Sequence, residues 1–268
     1  MSRIAATFEA LKADNKTALV PYIMCGDPDF DTTVKLMHAL VESGVNMIEL
    51  GVPFSDPMAD GPVIQAAAER VLERHVSLTD VINVVAKFRE NDQQTPVILM
   101  GYLNPVEVMG YGVFARTAAA AGVDGALTVD IPPEEGEGYT DILKANGVDP
   151  IYLLAPTSDN SRIESIAKVA GGFVYYVSLK GVTGAATLDT DSVAEKMGQI
   201  RQHIDLPLGV GFGISDAETA AKVSKVADAV VVGSAIVKRM AEFGNEPEKL
   251  IQSVIELTSS MRQAMDAS

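Results

Sequence analysis

Eight segments of strand character, each followed by a segment of helical character, predict a closed (β/α)8 TIM barrel with an extra N-terminal helix and additional short helices. Strict alternation requires parallel pairing, because each crossover helix returns the chain to the same end of the sheet. Two further observations favour closure over a doubly wound open sheet, which is the structural alternative. No Gly-x-Gly-x-x-Gly follows the first strand, and the glycine-rich turns cluster late in the chain. No linker, low-complexity tract or compositional break divides residues 1–268, so a single barrel domain is expected.

In chain order, Ile4, Phe8 and Leu11 at helical spacing predict a short amphipathic helix over 2–13, ahead of the first strand. Residues 18–24 form that strand and stop at Cys25-Gly26-Asp27-Pro28, a turn-forming run. A helix over 30–43 leads to a second strand at 46–51. After a long acidic loop, two helices over 62–74 and 78–90 precede the strand Pro96 to Tyr102. The pattern then gives helix 105–121, strand 124–129, helix 134–146, strand 150–155 and helix 159–170. It closes with strand 172–178, helix 190–203, strand 206–211, helix 215–225, strand 228–232 and a final helical region.

The bulk numbers bound the class. With 47% hydrophobic residues and a mean hydropathy of +0.17, the 268 residues hold enough apolar material for a large core. No run approaches the length of a membrane span and the amino terminus lacks the apolar centre of a signal peptide, which points to a soluble, cytoplasmic protein. The lone Cys25 rules out an internal disulfide, and His38, His75 and His203 have no neighbouring ligand pattern, so no metal site is expected. A formal net charge of -15 disfavours nucleic acid and anionic membranes as partners. Any phosphate would have to be captured locally, by backbone N–H groups and a helix amino end.

The run from Asn46 to Pro62 carries the chemistry. Side chains alternate along a strand, so Met47, Glu49 and Gly51 share one face while Ile48 and Leu50 take the other. If the aliphatic pair packs against helices, Glu49 points into the barrel, where a carboxylate is costly unless paired or working. The loop beyond delivers Asp60. Two structural roles stand beside the catalytic one: Glu49 could pair with a buried cation, and Asp60 could cap a helix entered through Gly61 and Pro62.

Three glycine turns follow the last three strands: Gly181-Val182-Thr183-Gly184, Gly211-Phe212-Gly213-Ile214-Ser215 and Gly233-Ser234-Ala235-Ile236. Each puts glycine where amides can approach an oxyanion, and the second and third run straight into helices with positive amino ends. Turn geometry alone would also explain the glycines, but phosphate on the loops after strands seven and eight is a recurring barrel arrangement. Val97 to Tyr102, Leu127, Val129, Phe173, Tyr175 and Phe212 supply apolar and aromatic residues at strand ends, suited to a flat hydrophobic group. The ligand this describes has an aromatic end, an anionic end, and two carboxylates at its middle.

The run Glu49-Leu50-Gly51-Val52-Pro53-Phe54-Ser55-Asp56-Pro57-Met58-Ala59-Asp60-Gly61-Pro62, with the turns at Gly181 and Gly211, resembles the tryptophan synthase alpha chain family. The resemblance runs from Pro21 through Gly26-Asp27-Pro28, Tyr102, Asn104, Asp130-Ile131-Pro132 and Gly233-Ser234-Ala235-Ile236-Val237 to Asn245-Glu246-Pro247-Glu248-Lys249. It implies a (β/α)8 lyase that cleaves indole-3-glycerol phosphate to indole and glyceraldehyde 3-phosphate. Indole then passes to a beta chain within an α2β2 tetramer, for synthesis of L-tryptophan. No cofactor is implied in this chain, since pyridoxal phosphate belongs to the beta partner.

Carried over by position, Glu49 would be the general acid and base and Asp60 would accept the indole N–H. Gly184, Gly213, Gly233 and Ser234 would hold the phosphate. Tyr22, Met100 and Leu127 would line the indole pocket with Phe212, Tyr175 would sit beside Glu49, and Thr183 would close against Asp60. Asp56, Pro57, Asn104 and Pro132 would meet the beta chain. The chain departs from the family pattern at Leu179-Lys180, where an arginine before a small residue is usual. Two other functions stand against this one: a Schiff-base barrel aldolase using Lys180, and a non-catalytic regulatory subunit that binds a phosphorylated ligand.

Overall fold

The computed structural model describes residues 2–178, 190–211 and 213–268. Eight parallel strands close into a barrel in sequence order: β1 (Ala18–Met24), β2 (Ile48–Gly51), β3 (Val97–Gly101), β4 (Gly125–Thr128), β5 (Asp149–Leu154), β6 (Val174–Val177), β7 (Leu208–Gly211) and β8 (Ala229–Val232). Closure is made by β1 pairing with β8, Ala18 opposite Ala229 through Pro21 opposite Val232. The open-sheet alternative is thereby excluded.

The helices among the described residues are α1 (Arg3–Ala13), α2 (Phe30–Glu42), α3 (Pro62–Leu72), α4 (Leu78–Arg89), α5 (Leu103–Met109), α6 (Tyr111–Ala121), α7 (Glu137–Ala145), α8 (Asn160–Val169), α9 (Thr190–Ile200), α10 (Ala217–Ser224), α11 (Ser234–Phe243) and α12 (Pro247–Asp266). None is long and apolar enough to cross a membrane.

Strands apolar on both faces split the core in two, as a barrel of parallel strands requires. Ile48, Leu50, Val97 and Leu99 point outward into the shell of helices. Met47, Ile98, Leu127, Ile151, Phe173, Ala229 and Val231 point inward. The lower end of the barrel is stoppered by α1, whose Ile4, Phe8 and Leu11 join the inner cluster, and Phe8 meets Phe173 edge-on at 5.9 Å. Ser2 caps this helix by accepting from the Ala5 N–H and donates its hydroxyl to Asp149. Asp124, 4% exposed, accepts from both the Arg3 and Arg89 guanidinium groups and from the Val97 N–H, locking the same end.

Phe173 therefore belongs to the barrel floor rather than to a ligand pocket, contrary to the sequence-based expectation. The expected helix over 105–121 is also two helices. Gly110 breaks it with φ +86°, a conformation that side chains avoid, and its N–H ends α5 on Val106 while its carbonyl starts α6 on Phe114. The redirected chain brings Tyr111 against Tyr139, with ring centroids 5.0 Å apart.

Candidate active site

At the carboxyl end of the barrel lies a cavity of about 490 Å³. Glu49, Asp60, Tyr22, Tyr175, Met100 and Leu127 line it, and so do Gly213, Gly233 and Ser234. The two sequence-predicted acids, Tyr22 and Tyr175, and the turns at Gly213 and Gly233 thus meet in one place. Thr183, Gly184, Phe212 and Lys180 lie outside the described residues.

Glu49 sits on β2 between Tyr22 of β1 and Ile98 of β3 in register. It is 2% exposed, and its Oε1 has no hydrogen-bond partner. No cation pairs with it among the described residues, so the ion-pair role falls away. Burial first, and the negative charge of Asp60 second, push its pKa to about 8.

Asp60 is held by its loop rather than by a helix. The residue at the amino cap of α3 is Gly61, with no side-chain capping bond, so Asp60 does not cap it. The Asp60 N–H donates to the Pro57 carbonyl, and the Gln65 side chain donates to the Asp60 carbonyl. Tyr102 lies under the loop, stacked on Phe54 at 5.2 Å, accepting from the Ala59 N–H and hydrogen-bonding the Asp60 carboxylate. Burial raises Asp60 to about 6 and the Tyr102 hydrogen bond opposes the rise. Asp60 is less solvated than the loop's polar sequence suggests, yet its pKa stays below that of Glu49. Near neutral pH Glu49 is mostly protonated and Asp60 mostly ionised.

Two phenols flank Glu49, each standing on a glycine of the next strand. A methyl group on Gly51 would collide with the Tyr22 hydroxyl, and one on Gly211 would collide with the Tyr175 hydroxyl. Both phenols are held well above the ordinary tyrosine range by burial, with Asp60 and Glu49 adding to the effect at Tyr22 and Glu49 at Tyr175. They remain neutral donors. Ile64, Met100, Leu127, Val129 and Leu153 complete an apolar wall.

The turns after β7 and β8 enter their helices differently. The turn after β7 does not run straight into an open helix: Asp216 caps α10, accepting from the Thr219 N–H and from the Ser215 hydroxyl. By contrast α11 has Gly233 at its cap, no side-chain capping bond and no acid in its first turn. Its free N–H groups and the Ser234 hydroxyl are the ones available to an oxyanion. Lys238 and Arg239 of α11 also line the cavity. They were missed in the sequence, where the signal was a pair of cations one turn after Gly233-Ser234.

Asp56 and Pro57 lie on the loop after β2, Asn104 in the first turn of α5 after β3 and Pro132 on the loop after β4, on the same rim as the cavity. Asp56 and Asn104 are exposed and the two prolines half-buried. Met58 and Val108, each 82% exposed, sit beside them.

Comparison with known proteins gives one consistent result. The family described as "Tryptophan synthase alpha chain" matches over residues 8–266. The tryptophan synthase alpha chain of Thioalkalivibrio sulfidiphilus is 65% identical over 266 residues, covering 99% of this chain and all of that one. That of Nitrosococcus oceani is 57% identical over 267 residues, covering all of this chain and 98% of that one. The crystal structure of tryptophan synthase subunit alpha from Legionella pneumophila superposes with a TM-score of 0.93 at 46% identity, covering 100% of both chains. Tryptophan synthase of Mycobacterium tuberculosis superposes with a TM-score of 0.87 at 35% identity over 98% of each chain. A closed barrel with a buried, unpartnered glutamate facing a looped aspartate, matched along nearly its whole length, belongs to the tryptophan synthase alpha chain family.

Proposed function

We propose that this chain cleaves indole-3-glycerol phosphate by a retro-aldol step, releasing indole and glyceraldehyde 3-phosphate, with Glu49 and Asp60 as its acid–base pair. The observation that carries the reading is the shared cavity: a protonated carboxyl and an ionised one, in different settings, open on the same apolar space.

Breaking a bond to an aromatic carbon requires that carbon to be protonated first, so that the ring can leave as a neutral group. Glu49 gives its proton to the ring carbon bearing the side chain. Asp60 accepts the ring N–H and stabilises the positive charge that develops there. The Glu49 carboxylate then takes the proton of the adjacent side-chain hydroxyl. The oxygen's electrons form the aldehyde carbonyl, the carbon–carbon bond breaks, and its electron pair restores the indole ring. Glu49 ends as it began, protonated.

Tyr22, Met100 and Leu127 line the space for the ring, and Tyr175 stands beside Glu49. Gly213, Gly233 and Ser234 hold the phosphate, with Gly184 and Thr183 assigned from the family resemblance. The chain acts as one barrel domain in the cytoplasm and passes indole to a beta chain in an α2β2 assembly. Asp56, Pro57, Asn104 and Pro132 would face that partner, and the exposed Met58 and Val108 are the apolar part of the same face.

The test is an indole-release assay on wild type, Glu49→Gln and Asp60→Asn, each with and without the beta chain. Turnover falls by at least ~10²-fold in each variant, the usual scale for losing an acid–base group, while substrate still binds. Wild-type turnover in either variant would refute the assignment.

A further inference from the structure

About half of the described lysines and arginines are held in ion pairs. Arg70 pairs with Asp27, Lys87 with Asp31, Arg162 with Glu134, Arg201 with Asp228, Lys222 with Glu218 and Arg262 with Asp266. Lys238 and Arg239 stand out because they line the cavity. Neither has a carboxylate partner among the described residues, and the one bond recorded between them is Arg239 Nη1 donating to the Ala235 carbonyl within its own helix, at 2.8 Å. Both line the same cavity as Glu49, whose buried Oε1 is itself unpartnered, so the cavity is already marked as a ligand site by a second group.

Their placement suits an anionic ligand. Side chains on a helix lean toward its amino end, so Lys238, four residues beyond Ser234 on the same stripe, reaches back over the first turn of α11. Positive charge there opposes the helix dipole, and α11 carries no capping side chain and no acid in its first turn to offset it. An anion in the cavity would relieve both. The need is real in the other direction too: an incoming dianion meets a chain of net charge -15 and the acids Glu49 and Asp60 in the same space.

We propose that Lys238, backed by Arg239, is the cationic contact that draws the anionic end of the ligand to α11 and makes the site select a dianionic phosphomonoester over a neutral analogue. The inference rests on the lyase reading above and adds a selecting role for residues outside the glycine turns. Lys238 is exposed and Arg239 half-buried, so Lys238 acts at the mouth and Arg239 nearer the helix.

The experiment measures binding of glycerol 3-phosphate and, separately, of indole, to wild type, Lys238→Met, Arg239→Met, the double variant and Lys238→Arg, by calorimetry at several salt concentrations. Steady-state cleavage of indole-3-glycerol phosphate is measured alongside. Lys238→Met weakens glycerol 3-phosphate roughly fivefold, near the upper scale of a solvent-facing charge contact. The double variant weakens it further and flattens its salt dependence, Lys238→Arg recovers most of the loss, and indole binding stays close to wild type. In cleavage, the loss in kcat/KM is carried by KM. Glycerol 3-phosphate affinity at the wild-type level in the double variant would overturn the proposal. So would a loss that Lys238→Arg does not restore, or an equal loss for indole. Failure of the wild type to release indole would instead count against the lyase reading, and the binding arm would still judge Lys238 and Arg239.

Discussion

At the scale of single residues, the chemistry depends on two carboxyls of the same kind being given different proton affinities. Glu49 reaches about 8 because it is buried with no donor on Oε1 and faces a second negative charge. Asp60 is also raised by burial, but only to about 6, with the Tyr102 hydrogen bond opposing the rise. The productive state has Glu49 protonated and Asp60 ionised, so kcat/KM should be bell-shaped in pH, with limbs near 6 and 8 belonging to the pair. Asp60→Asn removes the charge that helps hold the proton on Glu49. The residual activity of that variant should lose its acid limb, and its alkaline limb should move to lower pH. A pH–rate profile of both proteins checks this, and an alkaline limb that does not move would show that the two groups do not sense one another. Much of this pairing was legible in the sequence: alternation alone put Glu49 on the inward face with Met47 and Gly51. How far Asp60 is raised was not legible, because its polar loop does not show that it is buried, and Tyr102 reaches it only once β3 lies beside that loop.

At the scale of elements, neighbouring strands are fitted to one another by side-chain volume. Tyr22 can stand beside Glu49 because the next strand offers Gly51, and Tyr175 can do the same because its neighbour offers Gly211. Gly51→Ala should therefore cost about 1–3 kcal/mol in stability, the usual scale for overpacking. Tyr22→Leu in the same chain should return part of that loss, a coupling that a double-mutant cycle by chemical denaturation measures. Additive losses would mean that the tyrosine and the glycine are not in contact. The misread elements have similarly physical causes. A glycine within the alanine-rich 105–121 stretch reads as a tolerated helix residue, and only its positive φ separates α5 from α6. Strand alternation gives the face of Phe173 but not its height along the barrel, so its place on the floor against Phe8 depended on α1 entering the lower end. The turn after β7 looked open because Asp216 could not be told from an ordinary loop acid until its carboxylate was seen to accept the Thr219 N–H.

At the scale of the molecule, the closed barrel gathers residues from β1, β2, β3, β4, β6 and the turns after β7 and β8 onto one mouth, and stability is spent there to hold them. Glu49 binds its proton more tightly folded than unfolded, since its folded pKa of about 8 exceeds the ordinary 4.5. The stability it contributes is complete below the unfolded value and is lost as pH rises through the folded one. Glu49→Gln, which cannot ionise, should therefore raise Tm relative to wild type more at pH 9 than at pH 5, as thermal denaturation at the two pH values would show. An equal change at both would mean that the acid ionises freely in the fold. The barrel class, its strand count and its acidic loop followed from periodicity and turn residues, whereas the pair of cations after Gly233-Ser234 was passed over because sequence alone does not show that it faces the cavity. The most direct measurement is a titration of isotope-labelled glutamate carboxyl carbons by NMR in wild type and Glu49→Gln. A resonance that is lost in the variant should titrate near pH 8 in the wild type, and should move to lower pH in Asp60→Asn. If every glutamate titrates in the ordinary carboxylate range, Glu49 does not hold a proton at neutral pH and the acid–base account is wrong.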